Sequence, residues 1–411
     1  MTKPFTIPKE LIMQAYKQVK VNAGCAGIDQ QTIAEFEKNL RSNLYKLWNR
    51  MSSGCYFPQP VKMVKIAKKD GGERILGVPS VIDRIAETAA KLILEPELEK
   101  HFHPDSYGYR PNKSAIDAIA VTRKRCWYYD WVIEFDIKAL FDTIPWDLLE
   151  KSIKHHTDNK WVKLYIKRWL QSPMKDMQGN VTEKVKGTSQ GSPISPLLSN
   201  LFMHYAFDMW MSRNFPNNPW ARFADDAVLH CKTEEEAKLI LAELDKRFRS
   251  CGIELHPDKT QIIYCKDGKR RARYKTRKFD FLGYTFRSRL VKNSRDGSLF
   301  ASFTPAVSTK ALKAMCQKIR SSNIRNRTEL NIQDIAKMFN PILRGWIEYY
   351  GHYNKDCMSS LYWRFNRILI MWARRKYKKL RKHKIRAAKF VQKISKQNPS
   401  LFVHWKAVGF A

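Results

Sequence analysis

Apolar and polar residues alternate along this chain with two different periods. Apolar side chains recur every three or four positions, as in amphipathic helices, in five stretches: residues 7–20, about 32–50, 80–102, 196–210 and 234–251. Short apolar runs of strand character lie at residues 61–66, 74–78, 131–136 and 221–231. From about Thr304 onward the period is helical again. The pattern therefore predicts an α+β protein with a helical C-terminal part.

One predicted hairpin carries a dense group of cations. Its strands, residues 61–66 and 74–78, are separated by the turn sequence Asp70-Gly71-Gly72. The cations are Lys65, Lys68, Lys69 and Arg74. Two interpretations are open: a solvated hairpin surface, or a site for a triphosphate, since Arg and Lys are the usual protein partners of phosphate groups.

Residues 221–231 place two adjacent carboxylates between apolar runs. Asp225 and Asp226 have Phe223 on one side and Val228 and Leu229 on the other, with no Lys or Arg directly beside them. A solvated turn would accommodate the pair, because Asp is frequent at turns. The alternative is the tip of a buried hairpin whose charge is neutralised by a divalent cation, because hard cations such as Mg²⁺ bind carboxylate oxygens.

A second acidic strand end favours the cation. Residues 131–136 form an apolar strand that ends in Asp136, followed by a turn and by a helix predicted to begin near Trp146. Two strands that end in Asp could bring three carboxylates to one point. Such a cluster can hold two Mg²⁺ ions about 3.5–4 Å apart, an arrangement that stabilises the attacking and leaving oxygens of phosphoryl transfer.

With these two strand ends, the chain resembles the palm of a reverse transcriptase. More narrowly, it resembles a bacterial group II intron reverse transcriptase with its maturase region, over nearly the whole chain. The motifs that carry the resemblance are Gln190-Gly-Ser-Pro with a following Ser-Pro-Leu, Ala224-Asp-Asp, and Asn340-Pro-Ile-Leu-Arg-Gly-Trp. The implied fold is an α+β right-hand polymerase. Fingers and a palm, with an antiparallel sheet flanked by helices, precede an α-helical thumb and maturase domain and a basic C-terminal tail.

The resemblance implies four parts of the chain. They are an N-terminal extension at residues 1–50, reverse transcriptase fingers and palm at 51–303, a thumb and maturase domain at 304–356, and a basic DNA-binding region at 357–411. The last part contains 15 Lys and Arg residues and no Asp or Glu, a density suited to phosphate binding. The Cys- and His-bearing nuclease of longer relatives is expected to be absent.

The resemblance also implies roles for residues at the acidic site. Asp136, Asp225 and Asp226, together with Ile137, would bind two Mg²⁺ ions, with Mn²⁺ able to replace them. One ion would activate the 3′-hydroxyl of a primer, and the other would stabilise pyrophosphate. Lys259 would protonate the departing pyrophosphate, and a lysine in a surface turn is the alternative.

Further residues are implied to bind an incoming deoxynucleotide. Lys68 and Arg74 would hold its triphosphate, and Phe141 would lie under the sugar and exclude a 2′-hydroxyl by its bulk. Gln190 would lie near the nucleotide and the template, and Ile137 beside the nucleotide. At three positions the chain lacks the proline, proline and tyrosine usual in the family and has Ala67, Ser189 and Phe223. Because both carboxylates of the pair are retained, activity is expected to survive.

Other residues are candidates for nucleic-acid contact. Tyr107, Tyr109 and Arg110 lie in a loop that resembles a family motif near the template, and packing within the loop is equally open for the tyrosines. Arg344 belongs to the thumb motif. The candidates in the basic region are Arg374, Arg375, Lys379 and Arg381.

Composition agrees with a nucleic-acid partner. The 411 residues include 75 Lys and Arg against 39 Asp and Glu, a formal net charge of +36, which is an electrostatic footprint for polyanions. Neither an apolar run of membrane-spanning length nor a signal peptide is evident, so no membrane association is expected. The eight cysteines are scattered without a Cys-x-x-Cys motif and are typical of a cytosolic protein, here expected in the cytoplasm and at the nucleoid when acting on DNA.

These features predict an RNA-directed DNA polymerase with maturase activity that assists group II intron splicing and mobility. The implied partners are intron RNA as bound RNA and template, a DNA primer, target DNA and deoxynucleoside triphosphates, with the protein forming a ribonucleoprotein with its RNA. Two alternatives are open. One is an RNA-binding splicing cofactor without significant polymerase activity, and the other is a domesticated relative that serves host defence or repair.

Overall fold

The computed structural model describes residues 3–67, 72–270, 272–293 and 295–408. Its α-helices are α1 (Lys9–Asn22), α2 (Ile33–Lys38), α3 (Leu40–Ser52), α4 (Val81–Glu99), α5 (Ala115–Arg125), α6 (Leu140–Thr143), α7 (Trp146–His156), α8 (Lys160–Gln171), α9 (Ser195–Met203), α10 (Met209–Asn214), α11 (Glu234–Ser250), α12 (Thr309–Ser321), α13 (Ile332–Tyr350), α14 (Ser359–Lys376), α15 (Lys384–Gln397) and α16 (Val403–Val408). Its strands are β1 (Val61–Ala67), β2 (Glu73–Val78), β3 (Trp131–Asp136), β4 (Met174–Lys175), β5 (Val181–Thr182), β6 (Trp220–Phe223), β7 (Asp226–Cys231), β8 (Gln261–Tyr264), β9 (Lys278–Phe281), β10 (Tyr284–Lys292) and β11 (Leu299–Val307).

The chain forms two compact units that are not continuous in sequence. The first contains residues 1–118 and 133–262, and the second contains residues 119–132 and 263–411. Helices and sheets are combined in the fold, as the hydrophobic pattern predicted. The α+β class is therefore confirmed.

Most predicted helices form, with corrections at their edges. Helix α1 buries the predicted apolar stripe, and the hydroxyl of Ser80 accepts a hydrogen bond from the N–H of Asp83 at the start of α4. The helix predicted at about 32–50 is instead two helices, because the backbone of Asn39 leaves the helical conformation between α2 and α3. Ile93 and Leu239, which follow helical spacing in the sequence, are exposed because they lie at the edges of their apolar stripes.

A four-stranded sheet with strand order β6-β7-β3-β8 carries the predicted acidic residues. Strands β6 and β7 form an antiparallel hairpin, and β3 lies beside β7 in the sheet. The ring of Phe135, on β3, packs against Phe207 and Phe248 at centroid distances of 5.4 and 5.9 Å. Each fully buried aromatic of this kind contributes about 1.5–3 kcal/mol of hydrophobic stabilisation. This packing fixes β3 against the helices between residues 195 and 250.

The predicted cationic hairpin belongs to a second sheet. Strands β1 and β2 pair antiparallel, and β1 also pairs in parallel with β4, giving the order β2-β1-β4-β5. Strands β4 and β5 form an antiparallel hairpin around Gln178-Gly179-Asn180. The tip of the β1–β2 hairpin lies outside the described residues.

In the second unit, a three-stranded sheet precedes a set of helices. The sheet has the order β11-β10-β9. Strand β11 continues to Val307, so Thr304, predicted as the start of helical structure, is in a strand that pairs with β10. Helices α12–α16 share one hydrophobic core, with Phe365, Trp372 and Phe402 at its centre. The core therefore includes helices on both sides of residue 356, where the sequence suggested a boundary.

No helix among the described residues is long and apolar enough to span a membrane.

Candidate active site

The predicted pair of aspartates lies at the turn of the β6–β7 hairpin. Asp226 begins β7, and Ala224 and Asp225 form the turn. Ala224 has a φ angle of 60°, a left-handed conformation that a residue with a side chain adopts only with support from its surroundings. The carbonyl of Asp225 accepts a hydrogen bond from the N–H of Ile137 at 3.1 Å. The turn is therefore tied to the chain immediately after Asp136, the last residue of β3.

A buried arginine that the sequence did not single out supports this turn. The Nε and Nη2 atoms of Arg222 donate to Oδ1 and Oδ2 of Asp208 at 2.8 and 2.7 Å. Its Nη1 atom donates to the carbonyl of Ala224 at 3.1 Å and to Oδ1 of Asn200 at 3.2 Å, and Nη2 donates to Oγ of Ser106 at 2.9 Å. The sequence did contain a signal for this role, namely a cation within an apolar strand. Because arginine is fully buried only when it is paired, such a residue indicates a buried acidic partner.

The loop after α4 lies against the edge of β6. The N–H of Tyr107 donates to the carbonyl of Arg222 at 2.8 Å, and the N–H of Arg222 donates to the carbonyl of Asp105 at 3.0 Å. A Cβ atom at Gly108 would lie 2.5 Å from the backbone nitrogen of Ala224, so glycine is required there. The loop predicted to lie near the template therefore also braces the acidic turn.

Arg110, predicted to contact the template, is turned inward instead. Its side chain is 6% exposed, and Nε and Nη2 donate to the Glu99 carboxylate at 3.0 and 2.8 Å. Its Nη1 atom donates to the carbonyls of His103 and Ser106 at 2.7 and 2.9 Å. All three guanidinium nitrogens are engaged within the chain, because Glu99 supplies the charge that allows the arginine to be buried. The expected RNA contact is corrected to an anchor between the loop and the end of α4.

Burial raises the pKa values of both aspartates in the pair. The pKa of Asp225 is raised by burial and then by the charge of Asp136. The pKa of Asp226 is raised well above its ordinary value by burial and then by the carboxylates of Glu134, Asp136 and Asp225. Glu134, which lies two residues before Asp136 on β3, was not predicted and adds negative charge. Carboxylates crowded in this way favour the binding of a cation.

Lys259 forms an ion pair with this group. Its Nζ atom lies 3.0 Å from Oδ2 of Asp136, and its side chain is about half exposed. The N–H of His256 donates to the carbonyl of Asp136 at 2.8 Å, and the N–H of Lys259 donates to the carbonyl of His256 at 3.2 Å. The turn that carries the predicted proton donor is therefore held on the end of β3.

The donor set at this edge fits Mg²⁺ in its chemistry. Across the parts of the chain that the structure describes, no three His, Cys, Asp or Glu side chains are close enough together to hold a metal ion. Mg²⁺ is usually bound by one or two carboxylates plus substrate phosphates, not by a complete protein cage. Asp136, Asp225 and Asp226 are oxygen donors, and the charge of Asp136 is near enough to raise the pKa values of both Asp225 and Asp226. The side chain of Ile137 is a buried hydrocarbon without a donor atom, so this residue could contribute only its backbone carbonyl.

Arg74 lies within electrostatic reach of the acidic turn. It is exposed on β2, and its charge acts to lower the pKa of both Asp225 and Tyr109, against the larger effect of burial. Lys68, its predicted partner in binding a triphosphate, lies outside the described residues. The structure therefore brings one of the two predicted triphosphate ligands towards the aspartates.

Phe141 and Gln190 are brought together by one backbone and one side-chain hydrogen bond. Phe141 is half-buried in α6, and its carbonyl accepts a hydrogen bond from the N–H of Thr188 at 2.6 Å. The side-chain amide of Gln190 donates to Oδ2 of Asp142 at 3.5 Å. Residue 187 has to be glycine, because its φ angle is +80° and a Cβ atom would lie 2.7 Å from the carbonyl oxygen of Phe141.

The loop that carries Gln190 also packs on β2. The N–H of Gly77 donates to the carbonyl of Gln190 at 2.8 Å, and a Cβ atom at Gly191 would lie 2.5 Å from the carbonyl oxygen of Gly77. The loop therefore connects the strand that carries Arg74 with the short helix that carries Phe141.

Two ionisable groups flank this loop, the half-buried Lys184 and the buried Glu87. The hydroxyl of Ser189, where proline is usual in the resembling family, accepts a hydrogen bond from Nζ of Lys184 at 2.8 Å. Burial lowers the pKa of Lys184 to about 8, against the opposing charges of Glu87 and Asp142. Burial raises the pKa of Glu87 to about 8, against the hydrogen bond that its carboxylate accepts from the hydroxyl of Ser192. Neither group was identified from the sequence.

The remaining predicted nucleic-acid contacts lie in the second unit. Arg344 is exposed on α13, and Arg375 is exposed on α14. Arg374 is half-buried, and its Nη2 atom donates to the carbonyl of Arg381 at 3.2 Å. Lys379 and Arg381 are exposed in the segment between α14 and α15. These residues stay predictions as nucleic-acid contacts.

Two family models match the chain. Residues 66–286 match the reverse transcriptase (RNA-dependent DNA polymerase) model, and residues 312–390 match the maturase-specific domain of group II introns. The first match contains all three aspartates and Lys259, and the second contains Arg344, Arg374, Arg375, Lys379 and Arg381.

Several individual proteins are similar to parts of this chain. Protein YkfC of Escherichia coli is 29% identical over 316 residues, which are 66% of this chain and 78% of YkfC. The group II intron-encoded protein LtrA of Lactococcus lactis is 28% identical over 267 residues, which are 60% of this chain and 43% of LtrA. This chain therefore spans less than half of LtrA. Among solved structures, telomerase from Candida albicans, in complex with a fragment of telomeric RNA, matches with 12% identity and a TM-score of 0.46, over 92% of this chain and 68% of the telomerase chain.

Proposed function

We propose that this chain, which belongs to the reverse transcriptase family and carries the maturase-specific domain of group II introns, is an RNA-directed DNA polymerase that also assists intron splicing. Its substrates would be an RNA template, a DNA primer and deoxynucleoside triphosphates, and its RNA partner would be the intron. The observation that carries the proposal is the β6–β7 turn, which is tied to the end of β3 and gathers Asp136, Asp225 and Asp226 beside Lys259.

The chain's own residues would hold the reactants in line. Asp136, Asp225 and Asp226 would bind Mg²⁺, which, when bound, would neutralise the carboxylates and polarise the primer hydroxyl and the phosphate oxygens. Arg222 would keep the turn in one conformation through its hydrogen bond to the carbonyl of Ala224. Alignment of the primer 3′-hydroxyl with the α-phosphate would then supply much of the rate acceleration.

Other side chains would act on the nucleotide. Arg74, together with Lys68, would bind the triphosphate, because guanidinium and ammonium groups pair with phosphate oxygens. Lys259 would donate a proton from Nζ to the pyrophosphate oxygen that leaves the α-phosphorus. Phe141 would block the space of a 2′-hydroxyl, and Gln190 would position the nucleotide against the template.

The test is extension of a DNA primer on an RNA template by a double variant, Asp225→Asn with Asp226→Asn. We expect extension to fall below detection, because the cation would lose two charged ligands, while RNA binding stays largely intact. The assay is incorporation of deoxynucleotides on a preannealed template and primer with Mg²⁺.

A matched control removes two partly exposed acids from the same unit. Glu243→Gln with Asp245→Asn on α11 makes the same change in net charge, and we expect extension at the wild-type rate. Wild-type extension by the Asp225 and Asp226 double variant would contradict the proposed catalytic site. Equal losses in both double variants would point to a general electrostatic effect and would also count against it.

A second candidate function is that of an RNA-binding splicing cofactor in which the intron RNA performs its own chemistry. It is supported by the maturase-specific match over residues 312–390 and by the exposed cations of α13–α15. The two functions use different parts of the chain, so one protein can have both.

A further inference from the structure

Two distant segments of the second unit are joined by one arginine. Residues 123–131 follow from the end of α5, and residues 264–278 lead from β8 to β9. The Nη1 and Nη2 atoms of Arg270 donate to the carbonyls of Tyr129 and Cys126 at 2.8 and 2.9 Å, and Nε donates to Oδ2 of Asp267 at 2.9 Å. The side chain of Arg270 is only 10% exposed. Arg270 therefore holds its segment against the residues that follow α5.

Aromatic rings line the joined segments, which we call the aromatic-basic surface. The rings of Trp131, Tyr264 and Tyr274 contact one another at centroid distances of 4.5–5.2 Å. Trp127 and Tyr274 are partly exposed, and Tyr128 is 77% exposed. A tyrosine this exposed contributes little to the protein core, and its ring is accessible to a planar ligand.

Exposed cations lie in the same two segments as these rings. Lys124, Arg273, Lys275, Arg277 and Lys278 are exposed. The guanidinium of Arg123 lies 4.7 Å from the ring of Trp127 and 5.2 Å from the ring of Tyr353. The described residues between 264 and 278 include seven Lys and Arg residues and one acid, Asp267, which is paired with Arg270. The surface therefore has a large excess of positive charge and attracts a polyanion.

We propose that the aromatic-basic surface binds single-stranded RNA, with bases stacked on Tyr128 and Tyr274 and phosphates beside Lys275 and Arg277. Unpaired bases stack on aromatic side chains, whereas the bases of a duplex are already stacked on one another. Exposed rings among cations therefore fit a single strand better than a duplex. The residues of this surface belong to the second unit, whereas the catalytic aspartates belong to the first, so the binding of RNA to the surface can be tested independently of primer extension.

The experiment measures binding of a short, fluorescently labelled oligouridylate by anisotropy. The full chain is first saturated with an unlabelled template–primer duplex, so that the duplex and not the labelled strand occupies the polymerase site. We expect Tyr128→Ala to weaken binding of the labelled strand about tenfold, the usual effect of losing one stacked base. Tyr128→Trp should restore the affinity, because tryptophan also stacks. Tyr128 is so exposed that neither change should disturb folding.

Salt dependence separates the cations from the rings. Lys275→Gln with Arg277→Gln should reduce the magnitude of the slope of log affinity against log salt by about 1.4, at about 0.7 for each phosphate contact. Tyr128→Ala should leave that slope unchanged. Lys238→Gln with Lys246→Gln on α11 removes the same charge from the first unit and should change neither quantity.

Several results would overturn the inference. They are equal affinity of wild type and Tyr128→Ala, failure of Tyr128→Trp to restore binding, and equally effective competition by double-stranded RNA. Primer extension on a short template is expected to be unchanged in Tyr128→Ala. A wild-type protein that does not extend primers but binds the oligouridylate through Tyr128 would reject the proposed polymerase and leave the RNA surface standing.

Discussion

Arg222 and Asp208 form an ion pair with no exposed side-chain surface beneath the acidic turn. Removing two charges from water costs several kcal/mol for each ion, and it is tolerated only where the remaining donors and acceptors are satisfied. The other hydrogen bonds of Arg222, to Asn200, Ser106 and the carbonyl of Ala224, meet this condition. The arginine is therefore a positioning residue that sets the backbone on which Asp225 lies.

Replacing Arg222 with Met should destabilise the protein by about 3–5 kcal/mol, because Asp208 would be left as a buried, unpaired charge. Primer extension should fall even under conditions where the variant is folded. Urea denaturation measures the first effect, and extension by the folded variant measures the second.

Arg213→Met, at an exposed position on α10, is the matched control and should change the free energy of unfolding by less than about 0.5 kcal/mol. A second comparison is Arg222→Met combined with Asp208→Leu, which should recover part of the lost stability because no charge is left unpaired. Similar stabilities for Arg222→Met and Arg213→Met would show that the buried pair does not hold the turn.

Some residues of the candidate site could be identified from the sequence, and others could not. The aspartates and Lys259 were identifiable because their motifs are local and resemble a known family. The interior role of Arg110 could not be identified. It depends on Glu99, which lies eleven residues away and belongs to no motif that includes Arg110. The roles of Glu134 and Arg222 were missed because the partners of a charged residue on a strand are known only once the neighbouring elements have been placed.

At the scale of elements, helix α4 and the loop that carries Gln190 meet through one carboxyl group. Glu87 is buried in α4 and is bonded to Ser192 in the loop, with the charges of Asp83 and Lys184 nearby. Its pKa rises from 4.5 to about 8, so the folded protein binds a proton there that the unfolded chain has released. Stability from this group is fully present below pH 4.5 and is lost as the pH rises to about 8.

Glu87→Gln keeps the shape and the hydrogen-bonding capacity of the side chain but removes its titration. The free energy of unfolding of the wild type should therefore fall relative to that of the variant between about pH 4.5 and about pH 8. The slope of this difference approaches about 1.4 kcal/mol per pH unit for one proton. Urea denaturation at several pH values measures it.

The matched control is Glu97→Gln, an exposed position on the same helix. Its stability difference from the wild type should be nearly independent of pH over the same interval. A constant difference for Glu87→Gln would mean that the buried carboxyl group does not govern how the loop packs on α4.

At the scale of the whole molecule, the two candidate functions can be tested separately. The catalytic aspartates lie in the first unit, whereas the maturase-specific match lies in the second. We therefore expect Asp225→Asn to support splicing of its intron RNA as well as the wild type does, although it fails to extend primers. Splicing is measured as the rate at which ligated exons form at increasing protein concentration.

The splicing function is tested by removing the charges of Lys379 and Arg381, which are both exposed. Replacing both with Gln should reduce splicing and leave extension on a short template unchanged. Loss of splicing in Asp225→Asn would contradict the separation of the two functions, and so would full splicing by the Lys379 and Arg381 variant.

The large-scale division of the chain was only partly predictable. Helical periodicity correctly indicated a helical C-terminal part, because amphipathic stripes are local. It placed the transition at Thr304, which lies inside strand β11. The sequence of β11 is a mixed apolar run, and its pairing with β10 is not visible from the sequence. The common core of α12–α16 was not foreseen, because the change in charge density near residue 357 lies on the surface of helices whose buried faces are continuous.

Residues 119–132 belong to the second unit, yet the chain then returns to the first unit for residues 133–262. During synthesis, this short segment leaves the ribosome about 130 residues before its partners, an interval on the order of ten seconds at usual rates of translation. Until then, Trp131 and Cys126, which are buried in the finished protein, have no completed unit to enter. The second unit therefore cannot be completed before residues 263 onward emerge, and it forms through contacts distant in sequence, which are slow to make.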